Sequence, residues 1–365
     1  MPPVASDFLD AAYDLRYGNP VPNVKNVVFF NNKGGVGKTT LTCNVAAHLA
    51  SSRGLRLLLV DCDPQCNSTQ LVLDNNRWMS LYWESNATAQ KTLLDVVRPI
   101  ELGGPEIATG IKPVKSSENR FRIDLLPGHP RMSIIEDLLS RAWTDASSGD
   151  IGGIRRTNWL RSLVASYEGD YDAIFFDVGP SLGSLNRTVL LGAEAFVTPM
   201  GADIFSIVGI RNIAEWLKSW LSVYETSLDL CETQRHPGAL AEFSIPTDIP
   251  IRHGFAGYTV QQYITKSKQG VRRPTQAFEK ILKDIPSEVE QSLGAFLINS
   301  LTVGDAKLGD VPNMFSLTPL AQSVNAPIAS LVAGDGLAGG QYRQQANYSR
   351  TIEAVSNKLA DNIGL

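Results

Sequence analysis

Asn32-Lys33-Gly34-Gly35-Val36-Gly37-Lys38-Thr39-Thr40 lies between an apolar run, Val27-Val28-Phe29-Phe30, and a segment with helical spacing, Leu41 to Ala50. Strand, glycine loop and helix form the context in which a phosphate loop works. Glycine lets the backbone wrap closely enough for several N–H groups to face one anion. The helix N-terminus adds partial positive charge. Lys38 supplies a point charge for β- and γ-phosphates, and the Thr39 hydroxyl is placed to ligate Mg²⁺. Gly34, Gly35, Val36, Gly37, Lys38, Thr39 and Thr40 are the expected nucleotide cradle. The strict pattern G-x-x-x-x-G-K-[ST] wants glycine where Asn32 stands, and here a second lysine, Lys33, opens the loop.

Two further strands end in carboxylates. Leu55 to Asp61 is a buried-strand pattern that runs into Asp61-Cys62-Asp63-Pro64-Gln65-Cys66-Asn67-Ser68-Thr69. Carboxylates at the carboxyl end of a parallel strand face the ligand crevice. Asp61 and Asp63 are two apart and share a face of an extended segment, so one can enter the Mg²⁺ shell while the other orients a water. Tyr171-Asp172-Ala173-Ile174-Phe175-Phe176-Asp177 is a Walker B pattern, in which apolar residues hold the strand inside and Asp177 reaches the metal's waters. Strands alternating with helical runs predict one doubly wound α/β domain, with a mostly parallel sheet and helices on both faces.

The string K-G-G-V-G-K-T-T at 33–40 resembles the deviant Walker A box of the ParA/MinD ATPases, and the chain is closest in character to the ParA partition ATPases. The stretch 61–69 resembles that family's switch I, and Val178 to Gly183 its switch II. Cys66 stands where the family usually has glycine, and Gly179 where proline is more frequent, which implies a more mobile switch II. The resemblance implies that Lys33 is the signature lysine, reaching across an ATP-bridged homodimer to the partner's phosphates. It implies that Asp63 positions the attacking water and that Asp61 supports the metal's hydration shell. Asp310-Val311-Pro312-Asn313 resembles the loop that packs beside the base, with Pro312 against adenine and Asn313 in place of the usual arginine.

Composition narrows the classes. The 365 residues are 43% apolar, enough for a large core, and the net charge of −4 excludes a global basic field that would announce nucleic acid. The four cysteines, Cys43, Cys62, Cys66 and Cys231, form no C-x-x-C pair, which argues against a zinc site or disulfide framework and suits a reducing cytosol. Neither Cys62 nor Cys66 stands where the resemblance to iron-protein-like carriers would place a cluster ligand. No apolar run approaches the ~18 residues of a membrane span.

The remaining segments are expected as follows. Residues 1–25 form an extension with a short helix over Ser6–Tyr13, too short for an operator-reading domain, and 26–365 form the ATPase domain. The region 71–118 is an elaboration, with Trp78, Tyr82 and Trp83 packed in the core and a helix near Lys91–Val97. A helix covers Arg131–Trp143, followed by a flexible connection over 146–153 and a helix over Trp159–Tyr167. An amphipathic helix spans Ser206–Val223, which in the family contributes to the dimer face, and Thr226–Leu240 reads as a surface loop. Lys266, Lys268, Arg272 and Arg273 put four cations within eight residues and suit sequence-independent contact with a DNA backbone. The C-terminal helix, about Tyr348–Asn362, lacks the cationic apolar signature of a lipid-binding tail.

The expected function is that of an ATP- and Mg²⁺-dependent dimerising switch ATPase, slow alone and stimulated by a ParB-like partner. It would bind DNA nonspecifically and partition or position plasmid, chromosome or other cargo in the prokaryotic cytoplasm, on the nucleoid and not on a membrane. The alternatives are an accessory switch ATPase of a mobile-element or defence module acting on a protein, and a membrane-positioning MinD-like ATPase.

Overall fold

Alternation along the strands builds two cores from one sheet. Val28, Phe30, Leu58, Val60, Ile174, Phe176 and Phe196 point to one side, whereas Val27, Phe29, Leu57, Leu59, Ala173, Phe175 and Val197 point to the other. Both sets are fully buried, so helices must cover both faces. The computed structural model describes residues 24–83, 90–261, 265–268, 271–274 and 276–365, with backbone alone between 262 and 279. The expected helix at 6–13 lies outside the described residues.

Among the described residues, seven strands form the sheet: β1 (Lys25–Phe29), β2 (Leu57–Asp61), β3 (Asp124–Leu126), β4 (Ala173–Asp177), β5 (Ala195–Gly201), β6 (Phe255–Gln261) and β9 (Lys307–Val311). Their order is β3-β2-β4-β1-β5-β6-β9, and every neighbouring pair is parallel. All carboxyl ends therefore share one rim. The expected doubly wound fold is what the structure shows. The helices Met132–Ser147, Trp159–Ser166, Ser184–Gly192, Ile204–Leu230 and Gln276–Leu293 cover one face. Lys38–Arg53, Leu317–Ser323 and Gln341–Ile363 cover the other.

Several local expectations are corrected. The segment Thr226–Leu240 is not one surface loop: the helix Ile204–Leu230 runs on through a π-type turn, Cys231–Arg235, because Leu228, Cys231 and Leu240 are buried. The 146–153 connection is a tight corner. The Asp150 carboxylate caps the helix Ile151–Thr157 by accepting from the Gly153 N–H at 2.7 Å. A Cβ at Gly153 would lie 2.4 Å from the Ala146 nitrogen and 2.7 Å from the Ala142 oxygen, so glycine is there for close helix approach. The aromatics of 71–118 are not core: the helix Asn75–Trp83 buries no residue, and Trp83 is 74% exposed. Trp78, Tyr82 and Trp83 pack on one another at the surface instead.

The basic stretch is drawn into an antiparallel hairpin, β7 (Thr265–Lys268) and β8 (Val271–Pro274), pairing Lys266 with Arg273. It follows β6 in the chain. The C-terminal helix is longer than expected and buries Tyr348, Ile352, Val355, Leu359 and Ile363 in the second core. That apolar face is not available to lipid. Among the described residues no helix is long and apolar enough to cross a membrane.

Candidate functional site

The site begins where β1 hands over to the glycine loop. The Phe30 N–H donates to the Val197 carbonyl at 2.8 Å, and the Asn31 amide donates to the Pro199 carbonyl at 2.7 Å. Both bonds tie the loop's entrance to β5. Gly35 and Gly37 have φ of +73° and +75°, a left-handed backbone that favours glycine. Gly37 caps the helix Lys38–Arg53 with no side chain, so the first-turn N–H groups keep their free direction toward an anion. Lys38 is buried and donates to the Lys33 carbonyl at 3.1 Å. Burial lowers the Lys38 pKa from its ordinary value, while Asp177 and Asp63 pull it back up.

The two carboxylate strands converge on this loop. Parallel pairing sets Asp61 directly beside Asp177. The Thr39 hydroxyl donates to Asp177 Oδ2 at 2.7 Å, and the Ser68 hydroxyl donates to the same oxygen at 2.6 Å. Asp177 Oδ1 is buried without any hydrogen-bond partner. A carboxylate in that state is costly unless a cation or its water shell completes it. Burial lifts the Asp177 pKa to about 6, with Ser68 and Thr39 opposing. Asp61 Oδ2 accepts from the Thr69 N–H and hydroxyl at 2.8 and 2.7 Å, and Oδ1 accepts from the Asp63 N–H at 3.2 Å. Burial and then Asp177 push Asp61 to about 8. Buried carboxylate oxygens beside the Thr39 hydroxyl are the hard oxygen donors that Mg²⁺ takes.

Asp63 stands at the front of the group. Its Oδ1 accepts from the Gln65 N–H at 2.9 Å, and its Oδ2 accepts from the Asn67 amide at 3.3 Å. A Cβ at Gly179 would lie 3.0 Å from Asp63 Oδ1, so glycine at this point of switch II makes room for the carboxylate. Asn186 braces the same loop by donating to the Gly179 and Ser181 carbonyls at 2.7 and 2.8 Å.

Lys33 points elsewhere. Its Nζ pairs with Asp203 Oδ2 at 2.5 Å, with both side chains about one-third exposed. Asp203 also caps the long helix, accepting from the Phe205 and Ser206 N–H groups at 3.0 and 3.1 Å. Burial raises the Asp203 pKa, but bonding to Lys33 outweighs it and the net direction is down. Beside this pair the helix leaves Ile204, Phe205 and Val208 exposed at 54%, 72% and 44%.

The sequence-derived residues thus divide. Lys38, Thr39, Asp61, Asp63 and Asp177 meet at one place, and Lys33 lies next to it. Pro312 is on the same rim but follows β9, three strands from β1. Lys266, Lys268, Arg272 and Arg273 lie on the hairpin, and their side chains are outside the described residues. Ser68, Thr69, Asn186 and Asp203 were missed as site residues. Ser68 and Thr69 lie within the 61–69 stretch, and Asp203 carries the signal of a helix cap directly after a strand. Two clefts of about 480 and 460 Å³ open around Arg122, and no phosphate-loop residue lines either, so the site is identified by its chemistry and not by cavity size.

Comparison with known proteins gives the following. A family described as "AAA domain" matches residues 24–230. The virulence plasmid ParA family protein pGP5-D of Chlamydia trachomatis is 28% identical over 193 residues, covering 53% of this chain and 62% of that protein. The cell division protein PomZ of Myxococcus xanthus is 31% identical over 193 residues, covering 53% of this chain and 51% of that protein. The chain thus spans less than two-thirds of the length of either relative. The crystal structure of protein DIP2308 from Corynebacterium diphtheriae matches with a TM-score of 0.71 at 32% identity, covering 93% of this chain and 99% of that one.

Proposed function

The chain belongs to the AAA-domain family as a ParA/MinD-type P-loop ATPase, and from that premise we propose an ATP-gated dimerising switch that binds DNA nonspecifically and partitions or positions a cargo. The observation that carries the reading is the pairing of a complete phosphate site with a second lysine, Lys33, at an exposed apolar face. Lys38 and the first-turn N–H groups hold the phosphates. Bound Mg²⁺ would neutralise charge on the transferring phosphoryl group. Thr39 and Asp177 fix its position, and Asp61 holds Thr69 and the start of switch I. Asp63 orients the attacking water, while Gly179 and Asn186 keep switch II against it. Phosphoryl transfer demands mostly positioning and charge neutralisation, and these residues supply both.

In one chain Lys33 is satisfied by Asp203. To serve a partner's nucleotide it must leave that pair, and burial of Ile204, Phe205 and Val208 between two copies favours the exchange. DNA contact is assigned to Lys266, Lys268, Arg272 and Arg273. A ParB-like partner would stimulate turnover, and the place of action is the prokaryotic cytoplasm, on the nucleoid.

A second reading, a switch acting on a protein partner without DNA, is favoured by the exposed apolar side chains of Met79 and Trp83. Asp63→Ala separates the two. It should bind ATP and dimerise, with turnover reduced about a hundredfold or more. With ATP, and not with ADP, it should bind nonspecific duplex DNA, with affinity falling steeply as salt rises. An ATP dimer that ignores DNA at low salt would replace the first reading with the second.

A further inference from the structure

The helix Asn75–Trp83 is not held by apolar burial, since it buries no residue and leaves Met79 and Trp83 exposed. Tyr82 gives it a specific tie to the body of the protein. The Tyr82 hydroxyl donates to the Gly128 carbonyl at 3.2 Å, and its ring meets the His129 imidazole edge-on with centroids 5.6 Å apart. Gly128 lies in the turn that follows β3. The 71–118 elaboration thus reaches that turn through one half-buried side chain.

The turn leads to the site carboxylates. The Gly128 N–H donates to Thr69 Oγ1 at 2.9 Å, and the Thr69 hydroxyl donates to Asp61 Oδ2 at 2.7 Å. A Cβ at Gly128 would lie 2.9 Å from the Asp61 carbonyl oxygen and 3.0 Å from its Cγ, so Gly128 packs directly on Asp61. Thr69 is one of three consecutive residues that each hold a different carboxylate. Asn67 donates to Asp63 Oδ2 at 3.3 Å, Ser68 to Asp177 Oδ2 at 2.6 Å and Thr69 to Asp61. Gly128, Thr69 and Asp61 are buried, where a bonded chain is stronger than it would be in water.

We propose that Tyr82 is a positioning residue for hydrolysis. Through Gly128 it fixes the turn Asn67–Thr69, and through that turn the three carboxylates. This rests on the ATP reading above. Nucleotide affinity falls to Lys38 and the first-turn N–H groups, which the relay does not include, so Tyr82 bears on turnover and not on binding.

Titration with Mg²⁺·AMP-PNP and the rate at saturating ATP, both on the full chain, test it. Tyr82→Phe keeps the ring and removes the bond. It should lower kcat about fivefold, with AMP-PNP affinity within about twofold of wild type and an unchanged urea midpoint. Thr69→Val cuts the relay at its other end and should lower kcat at least as much. Adding Tyr82→Phe to it should cost less than about twofold more, because the relay is already broken. Thr69→Ser keeps the hydroxyl and should restore both the rate and its sensitivity to Tyr82→Phe. Wild-type kcat in Tyr82→Phe, or losses that multiply in the double variant, would overturn the proposal. So would a loss of AMP-PNP affinity as large as the loss of kcat, which would make Tyr82 a support of the whole site. A wild-type protein that neither binds AMP-PNP nor hydrolyses ATP would overturn the ATP reading and this inference together.

Discussion

The two halves of the carboxyl rim are built on opposite terms. On the β4-β2 side, Asp61, Asp63 and Asp177 are buried and held by Thr69, Ser68, Thr39 and backbone N–H groups. Nearly every carboxylate oxygen there has an internal partner, and the exception is Asp177 Oδ1. On the β5-β6-β9 side the prominent groups face solvent: Ile204, Phe205, Val208 and Phe315, with the Lys33–Asp203 pair among them. The first half is complete as a single chain, as chemistry that needs fixed geometry must be. The second half leaves large apolar side chains in solvent, the kind of surface that recognition uses.

The largest test of this contrast removes the charge on which the first half converges. Lys38→Ala should lower ATP affinity at least about a hundredfold, because it removes a charge-assisted contact to phosphate from a buried place. Unchanged affinity by titration would remove the phosphate loop from the argument. Lys33→Ala should do the reverse. It should keep ATP within roughly fivefold of wild type and abolish the ATP-dependent dimer, which light scattering reads directly. A normal ATP dimer would mean that Lys33 serves only Asp203.

A smaller effect separates the halves by pH. Asp61 holds its proton up to about pH 8 in the fold, whereas an unfolded aspartate releases it near pH 4. Between those values the folded chain binds the extra proton, so this group makes stability fall as pH rises, by at most about 1.4 kcal/mol per pH unit. Denaturation of the nucleotide-free protein from about pH 5 to about pH 8 should show a flatter dependence in Asp61→Asn than in wild type. Parallel curves would show that Asp61 is ionised throughout.

The same contrast explains what was legible in the sequence. The catalytic half is local: Asp61 and Asp177 each end a continuous apolar strand, Asp63 follows two residues on, and the glycine loop is contiguous, so period and motif find them without knowing the fold. The parallel sheet followed from the same strands. The recognition half depends on distant segments brought together. Nothing near Lys33 names Asp203, which is 170 residues away, and an exposed Phe315 reads like any core aromatic until its left-handed backbone, φ +41°, is seen. The 146–153 corner was misread because Gly152-Gly153 suggests flexibility, whereas helix proximity requires glycine there. Trp83 was misread because large apolar residues are usually core, and here the supporting element is a helix with no buried face.

Cys66 gives the finest test, because it places a strain of the second half's kind inside the first. It has φ +53° and ψ +37°, a left-handed backbone at a position where the family resemblance implies glycine. The backbone therefore keeps the glycine shape with a side chain attached. The thiol is buried, and burial pushes its pKa up to about 12, so it contributes volume and not reactivity. A substitution to glycine releases the strain but also loses the buried side chain and loosens the unfolded chain. Cys66→Ala is the control, since it loses the thiol and keeps the strain. Cys66→Gly should therefore be more stable than Cys66→Ala by about 1 kcal/mol in urea denaturation, with hydrolysis within a few-fold of wild type because Asp63 keeps its Gln65 and Asn67 bonds. If alanine is as stable as glycine, the left-handed turn is not a strained element, and the catalytic half is as relaxed as its hydrogen bonds suggest.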